Sequence, residues 1–442
     1  MLLWAFSVSL SVQAGEKSPK LDPEAVERGR VAMTLKGHLK SAWSAEAYRK
    51  AGAFWKSSDD LPADYDSAFR LRYGLNVAPF SNDGLPMGLR RGVNSDGTLS
   101  GIQIDCLACH GGSIGGKSVI GLGNTTIDLR SMFDDLNKAD GRPVPPSFFT
   151  INSVRGSVNA GMFSAVLLSL RNSDLSKRSF PIPLGANLPE LDVPPWWNLA
   201  KKSSMYYDGR TPADSLRTNM QFLLGEKSLD DLKALEPTFR DIQAYLRSLK
   251  PPKYPFAIDE AKAVKGRLVF EKTCVKCHGT YGENGSYPNR IVELKTIGTD
   301  PARAIGLSDR LIEHYNSTWL GEDHPADEEM VGYQAPPLDG IWASAPYLHN
   351  GSVPNLHALL NSTERPSRFL RPPSTDFEHY DKARVGWKYV EADQKPNPSG
   401  SAYRAKFLYD TSRFGLGNGG HTFGDRLKEA ERMELIEYLK TL

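Results

Sequence analysis

Apolar positions recur with helical spacing in two matching segments, one in each half of the chain. The first is IQAYLRSLK at 242–250 and the second is LIEYLKTL at 435–442. When Tyr245 is aligned with Tyr438, the leucines that follow each tyrosine are matched by leucines, and the basic and hydroxyl residues between them are matched by residues of the same kind. The two segments therefore predict the same closing helix used twice, in a chain that is mainly α.

Each closing helix has an opening partner near the start of its half. GRVAM at 29–33 matches GRLVF at 266–270, and both follow an Ala-Val pair and charged residues. The run PPKYPF at 251–256 ends the first closing helix, since paired prolines cannot continue one. We therefore predict an N-terminal unit at 22–250, this linker, and a C-terminal unit at 257–442.

Two other stretches are continuously apolar. AGMFSAVLLSL at 160–170 is too short to cross a bilayer and predicts a core helix, so no transmembrane segment is expected. MLLWAFSVSLSVQA at 1–14 resembles a secretory signal peptide, although no Lys or Arg precedes its apolar run. This interpretation predicts a periplasmic or secreted protein. A buried first helix is the alternative.

Composition is that of an ordinary globular protein, with 40% of the 442 residues hydrophobic and 24% charged. This length suffices for two or three domains with substantial cores. The formal net charge of +2 provides no basic field of the kind that nucleic acid requires. We therefore expect no nucleic-acid partner.

All four cysteines fall in two copies of Cys-x-x-Cys-His, CLACH at 106–110 and CVKCH at 274–278. Two thiols three residues apart on a helical turn can add to the two vinyl groups of one porphyrin, while the adjacent histidine binds the iron. A thioredoxin-like redox pair and a zinc site built from both motifs are the alternatives. The spacing predicts two covalently bound haem c groups, held by Cys106, Cys109 and His110 and by Cys274, Cys277 and His278.

The two units differ in the segment ahead of each motif. From Gly29 to Cys106 is 77 positions and from Gly266 to Cys274 is 8, so the first unit carries about 69 extra residues at about 37–105. This insertion is rich in turn formers, as in PFSNDGLPMG, and predicts loops rather than a separate domain. Because loops beside a cofactor often carry function, we expect PFSNDGLPMG to line the first haem. An insertion on the far surface is the alternative.

Histidines that can serve as second axial ligands are distributed unequally. None lies between His110 and His278, so the first haem has no histidine downstream of its motif in its own unit. In the second unit, His421 lies in GLGNGGHTFG, whose glycines let the backbone approach a planar cofactor closely. A histidine in a mobile surface loop is the alternative. Methionines of the first unit, most of them expected in the core, remain as candidate ligands: Met87, Met132, Met162, Met205 and Met220.

Three motifs of the C-terminal half carry a family resemblance. QAPPLDGIWASAPYLHNGSVPNLHALL at 334–360, GNGGHTFG and LIEYLKTL resemble the bacterial di-haem cytochrome c peroxidase superfamily, nearest to its latex-cleaving rubber oxygenases, with the MauG-type enzymes as further relatives. The resemblance covers chiefly residues 259–442. It implies that His421 is the distal ligand of the C-terminal haem, and that His349 packs near the haems without binding iron.

This chain departs from the peroxidases at two places. Their FWDGR segment places a tryptophan between the haems, whereas MYYDGR puts Tyr207 at that position. We take Tyr207 and, from the DVPPWWN segment, Trp197 as candidate catalytic relay residues, with Trp196 as a further candidate; plain packing is the alternative for the tryptophans. The distal histidine of the peroxidases after the first motif is absent, which favours the rubber-oxygenase and MauG types.

These features together predict two cytochrome c-like haem domains that form a di-haem oxidoreductase. Its N-terminal haem would react with hydrogen peroxide or dioxygen, and its C-terminal haem, held by His278 and His421, would relay electrons. The expected partner is a redox protein or a small organic substrate. The rival functions are a pure electron-transfer cytochrome with two six-coordinate irons and an enzyme that oxidises a partner protein.

Overall fold

The computed structural model describes residues 21–56, 60–94, 96–144, 153–392 and 402–442. The predicted signal segment at 1–14 lies outside these residues. Within them, helices account for most of the regular structure and the strands are short, as expected for a mainly α chain.

The α-helices of this part of the chain range from single turns to five turns. They are α1 (Pro23–Thr34), α2 (Ala45–Lys50), α3 (Tyr65–Tyr73), α4 (Leu107–His110), α5 (Leu129–Ala139), α6 (Ala160–Ser169), α7 (Arg217–Met220), α8 (Leu229–Ser248), α9 (Glu260–Thr273), α10 (Val275–His278), α11 (Leu294–Ile297), α12 (Ala302–Ile305), α13 (Asp309–Asn316), α14 (Leu356–Leu359), α15 (Ala402–Ala405) and α16 (Glu429–Leu439).

The strands form small antiparallel sheets. They are β1 (Leu89–Val93), β2 (Leu99–Ile104), β3 (Gly111–Ile114), β4 (Lys117–Ile120), β5 (Ser204–Met205), β6 (Thr211–Pro212), β7 (Ile291–Glu293), β8 (Gly332–Gln334), β9 (Arg368–Leu370), β10 (Tyr380–Asp381), β11 (Gly386–Trp387), β12 (Val390–Glu391) and β13 (Leu408–Asp410). One sheet has three strands in the order β12-β9-β13, and the others are pairs: β1-β2, β3-β4, β5-β6, β7-β8 and β10-β11.

The predicted opening and closing helices are confirmed, and they pack in pairs. α1 crosses α8, and α9 crosses α16. A Cβ built on Gly29 would lie 1.9 Å from the carbonyl oxygen of Asp241, and one built on Gly266 would lie 1.9 Å from that of Glu434. Asp241 and Glu434 are equivalent when the closing helices are aligned. The two pairs of helices therefore cross at equivalent positions of their sequences.

Local sequence explains where these helices begin. Asp22 caps α1, Ser228 and Asp231 form a capping box at the start of α8, and Asp259 caps α9. Between α8 and α9, the segment 251–256 has neither helix nor strand.

The expectation that the insertion at about 37–105 consists of loops is wrong. It contains α2, α3 and the β1-β2 hairpin, and its Trp43 and Phe69 lie in a buried core together with Met132 of α5. The turn formers connect short elements instead of forming one continuous loop. In the RRGVNSDGT run, for example, residues 90–93 belong to β1, and Thr98 directly precedes β2.

The apolar segment at 160–170 is helical, as predicted. It forms α6, whose Ala165 and Leu168 are buried in a core cluster. No helix among the described residues combines the length and apolarity that crossing a membrane requires.

Candidate functional site

Both Cys-x-x-Cys-His motifs face one continuous cavity of about 840 Å³. His110 ends α4 and His278 ends α10, each a single helical turn. The cavity wall includes every predicted site residue except Trp197: Cys106, Cys109, His110, Tyr207, Cys274, Cys277, His278, His349 and His421.

His278 is held in the tautomer that a metal ligand requires. Its Nδ1 lies 2.8 Å from the carbonyl oxygen of Pro336, and because a carbonyl can only accept, Nδ1 carries the proton. Nε2 is then unprotonated and free to bind a metal. Burial lowers the pKa of His278, which keeps the ring neutral.

His110 has a corresponding neighbour in Pro194. Burial lowers the pKa of His110 to about 3, and the Pro194 backbone opposes this shift. Pro194 and Pro336 each begin a Pro-Pro pair. The two motif histidines are therefore supported by the same kind of segment, although the sequence around the two pairs differs.

His421 faces His278, with ring centroids 6.3 Å apart and ring planes inclined by 61°. A metal–imidazole bond is about 2 Å long and the ligating nitrogen lies about 1 Å from the ring centroid, so two imidazoles on opposite sides of one metal have centroids about 6 Å apart. The pair thus fits a single iron between the rings. The pKa of His421 is lowered to about 3, chiefly by burial and also by the charges of His278 and Arg365.

The backbone around His421 is fixed in an uncommon conformation. His421 has a φ of +46° and follows Gly420 at +72°. A Cβ on Gly420 would lie 2.2 Å from the backbone of Gly298, so this position requires glycine. The His421 N–H donates to the carbonyl of Ile297 at 2.7 Å. These contacts do not favour the alternative of a mobile surface loop.

Arg365 ties this loop to α14. Its guanidinium donates to the carbonyls of Asn418 and Gly420, each at 2.7 Å, and to that of His421 at 3.2 Å. It also donates to the last turn of α14, at Ala358 and Leu359. One planar, permanently charged group therefore holds the His421 loop against a helix.

Trp196, rather than the predicted Trp197, contacts the first motif. The Trp196 indole stacks on the imidazole of His110, with centroids 4.2 Å apart and planes inclined by 16°. Trp197 is 3% exposed, and its Nε1 donates to the carbonyl of Asp339 at 2.7 Å. The two residues begin a 3-10 helix at Trp196–Ala200, in which neighbouring side chains face different directions. The sequence does not reveal which of them faces the cavity.

Tyr207 and His349 lie together on the cavity wall. Their ring centroids are 6.1 Å apart, and His349 stacks on Tyr333 at 4.3 Å. The Tyr207 hydroxyl donates to the carbonyl of Asp192 at 3.2 Å. The pKa of His349 is lowered to about 3, chiefly by burial and also by the charge of Arg303. The structure thus unites these two predicted residues in one aromatic cluster.

The structure also narrows the choice among the methionines. Of the five candidates, all within the described ranges, Met205 lines the cavity, Met87, Met132 and Met220 are fully buried in core clusters, and Met162 is half-buried on α6 away from the cavity wall. Met33 of α1, which was not among the five, also lines the cavity, so Met33 and Met205 are the methionines to consider as axial ligands.

The insertion contributes to the cavity wall through residues that we did not predict. Residues 79–88, the PFSNDGLPMG run, do not line it, so that expectation is wrong. His38 does line it, with its Nε2 3.1 Å from the carbonyl of Ala32, and so do Arg90 and Asp105. No local sequence signal marks His38, because only the packing of the insertion brings it near the first motif.

The zinc alternative finds no support in this geometry. Within the described ranges, no three His, Cys, Asp or Glu side chains are grouped so that they could hold a metal ion. The four cysteines are not joined by disulfides. Each motif instead stands alone on the wall, as a separate porphyrin attachment requires.

Comparison with known proteins gives a match on the C-terminal half. Residues 332–370 match a family described as RoxA-like, cytochrome c-like. An uncharacterised protein of Sinorhizobium fredii, y4iM, is 30% identical over 295 residues, covering 57% of this chain and 64% of that protein. A second one, y4iJ, is 29% identical over 262 residues, covering 44% and 41%. The chain spans less than two thirds of the length of each relative.

Among solved structures, hydrazine synthase of Kuenenia stuttgartiensis has 16% sequence identity and a TM-score of 0.22, covering 63% of this chain and 86% of that one. This TM-score is too low to indicate a shared fold. The RoxA-like match includes His349, which lies on the same cavity wall as both Cys-x-x-Cys-His motifs. It supports the conclusion that this chain is a cytochrome with covalently bound haem c.

Proposed function

We propose that this chain is an exported di-haem c-type oxidoreductase with a haem unit at 22–250 and a second at 257–442. The observation that carries the proposal is that both attachment motifs open onto one cavity. His110 and His278 are the proximal ligands of the two irons. Bound haem supplies one-electron transfer and the capacity to bind peroxide or dioxygen.

The second haem has the role of an electron relay. His278 and His421 at 6.3 Å provide two imidazole ligands, which leave no open face. The Pro336 carbonyl orients His278 and increases the electron density on its Nε2, and Arg365 keeps His421 in place. Two strong axial ligands favour electron transfer over the binding of an oxidant.

The first haem has the role of the reactive centre. Its motif histidine, His110, has Trp196 as its ring neighbour, and no described imidazole forms with it a ring pair like that of His278 and His421. The wall on this side includes apolar side chains such as Leu129, Phe133 and Leu168, which exclude water and favour an organic substrate. Tyr207 is proposed as a relay for oxidising equivalents, and Trp196 is proposed in place of Trp197.

An electron-transfer cytochrome is the second candidate function. Met205 and His38 both line the cavity, and either side chain is chemically able to occupy the sixth position of the first iron. In that case the protein exchanges electrons with a redox partner and does not react with peroxide or dioxygen. In the proposed function the partner is a redox protein or a small organic substrate, in the periplasm or outside the cell.

The experiment that tests the proposal is a haem count combined with electron paramagnetic resonance. The pyridine haemochrome assay is expected to give two c-type haems per chain that resist acid-acetone extraction. The double variants Cys106→Ala/Cys109→Ala and Cys274→Ala/Cys277→Ala should each retain one. The resonance spectrum should show one high-spin and one low-spin iron. A single haem contradicts the architecture, and two low-spin irons inert to peroxide favour the electron carrier.

A further inference from the structure

Two arginines of the cavity wall share a single carboxylate, and a lysine lies on the same wall. Arg303 Nη2 lies 2.9 Å from Asp208 Oδ2, and Arg210 Nε lies 3.7 Å from the same oxygen. Lys202 also lines the cavity; burial lowers the pKa of its ammonium group to about 8, and the charge of Asp208 opposes that shift. Asp208 is fully buried, and the side chains of Arg210 and Arg303 are 6% and 8% exposed.

These cations are incompletely paired. Arg303 Nη1 and Arg210 Nε have no hydrogen-bond partner within the described part of the chain. Lys202 makes one long contact, 3.4 Å to the carbonyl of Tyr206, and forms no ion pair with any described carboxylate. At this part of the wall, three basic side chains thus have one described carboxylate, Asp208, as their nearby counter-ion.

A charge excess of this kind is costly without an anion. Buried charges are normally paired, because desolvation of an ion costs several kcal/mol and only a close counter-ion offsets it. Arginine presents a planar fork that matches a carboxylate, and lysine contributes a point charge beside it. Lys202 lies three residues before the MYYDGR segment at 205–210, and Arg210 is the last residue of that segment. Asp208 and Arg210 have no part in the proposed iron ligation.

We infer that Lys202, Arg210 and Arg303 form a carboxylate-binding site on the cavity wall, and that the site takes up two carboxylate groups. Two sources share this chemistry. One is the pair of propionates that every haem carries, a source that rests on the proposed function. The other is a free organic dicarboxylate that enters the cavity as substrate or effector.

The test compares Lys202→Met with Lys201→Met in the holoprotein. Lys202 makes a single weak contact, so its replacement does not remove a structural bond. Lys201 is the matched control, because it is adjacent in sequence but 38% exposed and paired with Asp339 at 2.7 Å. Arg303→Gln is the second variant. The measurements are the haem count, the midpoint potential of each haem, the thermal unfolding midpoint and calorimetric titration with succinate.

If the propionates are the source, Lys202→Met lowers both a midpoint potential and the unfolding midpoint, because a buried carboxylate loses its counter-ion. Lys201→Met then leaves that midpoint potential unchanged, and its effect on the unfolding midpoint reflects only the loss of the ion pair with Asp339 and the contact with Tyr281. If a free dicarboxylate is the source, the parent binds succinate, and Lys202→Met and Arg303→Gln each weaken that binding by about tenfold or more. Either pattern supports the site.

Two results overturn the inference. In one, Lys202→Met raises the unfolding midpoint, as expected when an ammonium group without an anionic partner is replaced by an apolar chain of similar length. In the other, Lys202→Met behaves like the Lys201→Met control and the parent does not bind succinate. If the parent carries no covalently bound haem, the proposed function is wrong instead. The succinate titration then still tests the carboxylate-binding site.

Discussion

His278 and His421 face each other with ring centroids 6.3 Å apart, the spacing of two imidazoles that share one metal ion. Replacement of His421 by Ala is therefore expected to convert one of the two haems from low-spin to high-spin and to shift its reduction potential, because axial ligation is a main determinant of both. Visible and paramagnetic resonance spectra measure this. His349→Phe is the control and should leave both irons as they are. An unchanged His421→Ala spectrum would refute the ligand assignment.

Arg365 is expected to act on the same iron without touching it. Arg365→Lys keeps the positive charge but loses the fork that holds Asn418, Gly420 and His421, so the second haem should show a mixed-spin spectrum. The free energy of unfolding should fall by about 3 kcal/mol, since several charge-assisted hydrogen bonds are lost. Arg384→Lys, at a 44% exposed position, is the control and should change neither quantity. A fully low-spin second haem in Arg365→Lys would contradict this role.

The first iron is expected to bind external ligands. The reduced protein should form a carbon monoxide complex at one haem, and the oxidised protein should react with hydrogen peroxide, because no described imidazole pairs with His110 as His421 does with His278. If the parent is inert, Met205→Leu or His38→Ala should open the site, and the active variant identifies the closing ligand. Reactivity in neither parent nor variants would be incompatible with an accessible first iron.

Trp196 is expected to influence the first haem and Trp197 is not. An aromatic stack contributes about 1 kcal/mol, so Trp196→Phe should shift the potential of the first haem measurably. Trp197→Phe removes core volume and the hydrogen bond to Asp339, so it should lower stability by about 2 kcal/mol with little change in that potential. Equal shifts in the two variants would argue against a specific contact with His110.

His349 is expected to make stability depend on pH. Its pKa is lowered to about 3 in the folded chain, from an ordinary value of 6.5, so the folded state stays neutral where the unfolded state takes up a proton. The stability from this residue is complete above pH 6.5 and is lost toward pH 3 at about 1.4 kcal/mol per pH unit. Denaturant titrations at pH 6.5 and pH 4.5 give the change of the free energy of unfolding with pH, and His349→Phe should remove the contribution of this residue to that change. If the pH dependence is the same in His349→Phe as in the parent, His349 is protonated in the folded state.

The sequence predicted features that depend on local spacing. The haem motifs and the four helices around Gly29 and Gly266 follow from short-range patterns, and so does the glycine-rich approach to His421. The insertion was misjudged because turn formers conceal short capped elements such as α2 and α3. His38 was not identified, because its position on the cavity wall depends on tertiary packing. Trp197 was preferred over Trp196, because the sequence does not show which side of a 3-10 turn faces inward.

The crossings at Gly29 and Gly266 have a genetic consequence. Neither glycine lines the cavity, yet α8 and α16, which they touch, contribute Ile242 and Leu435 to its wall. A methyl group at either glycine would push a closing helix away from its partner and move that wall. In a random screen for colonies that fail to mature this cytochrome, alleles at these two positions should therefore appear beside those of the cysteines and histidines.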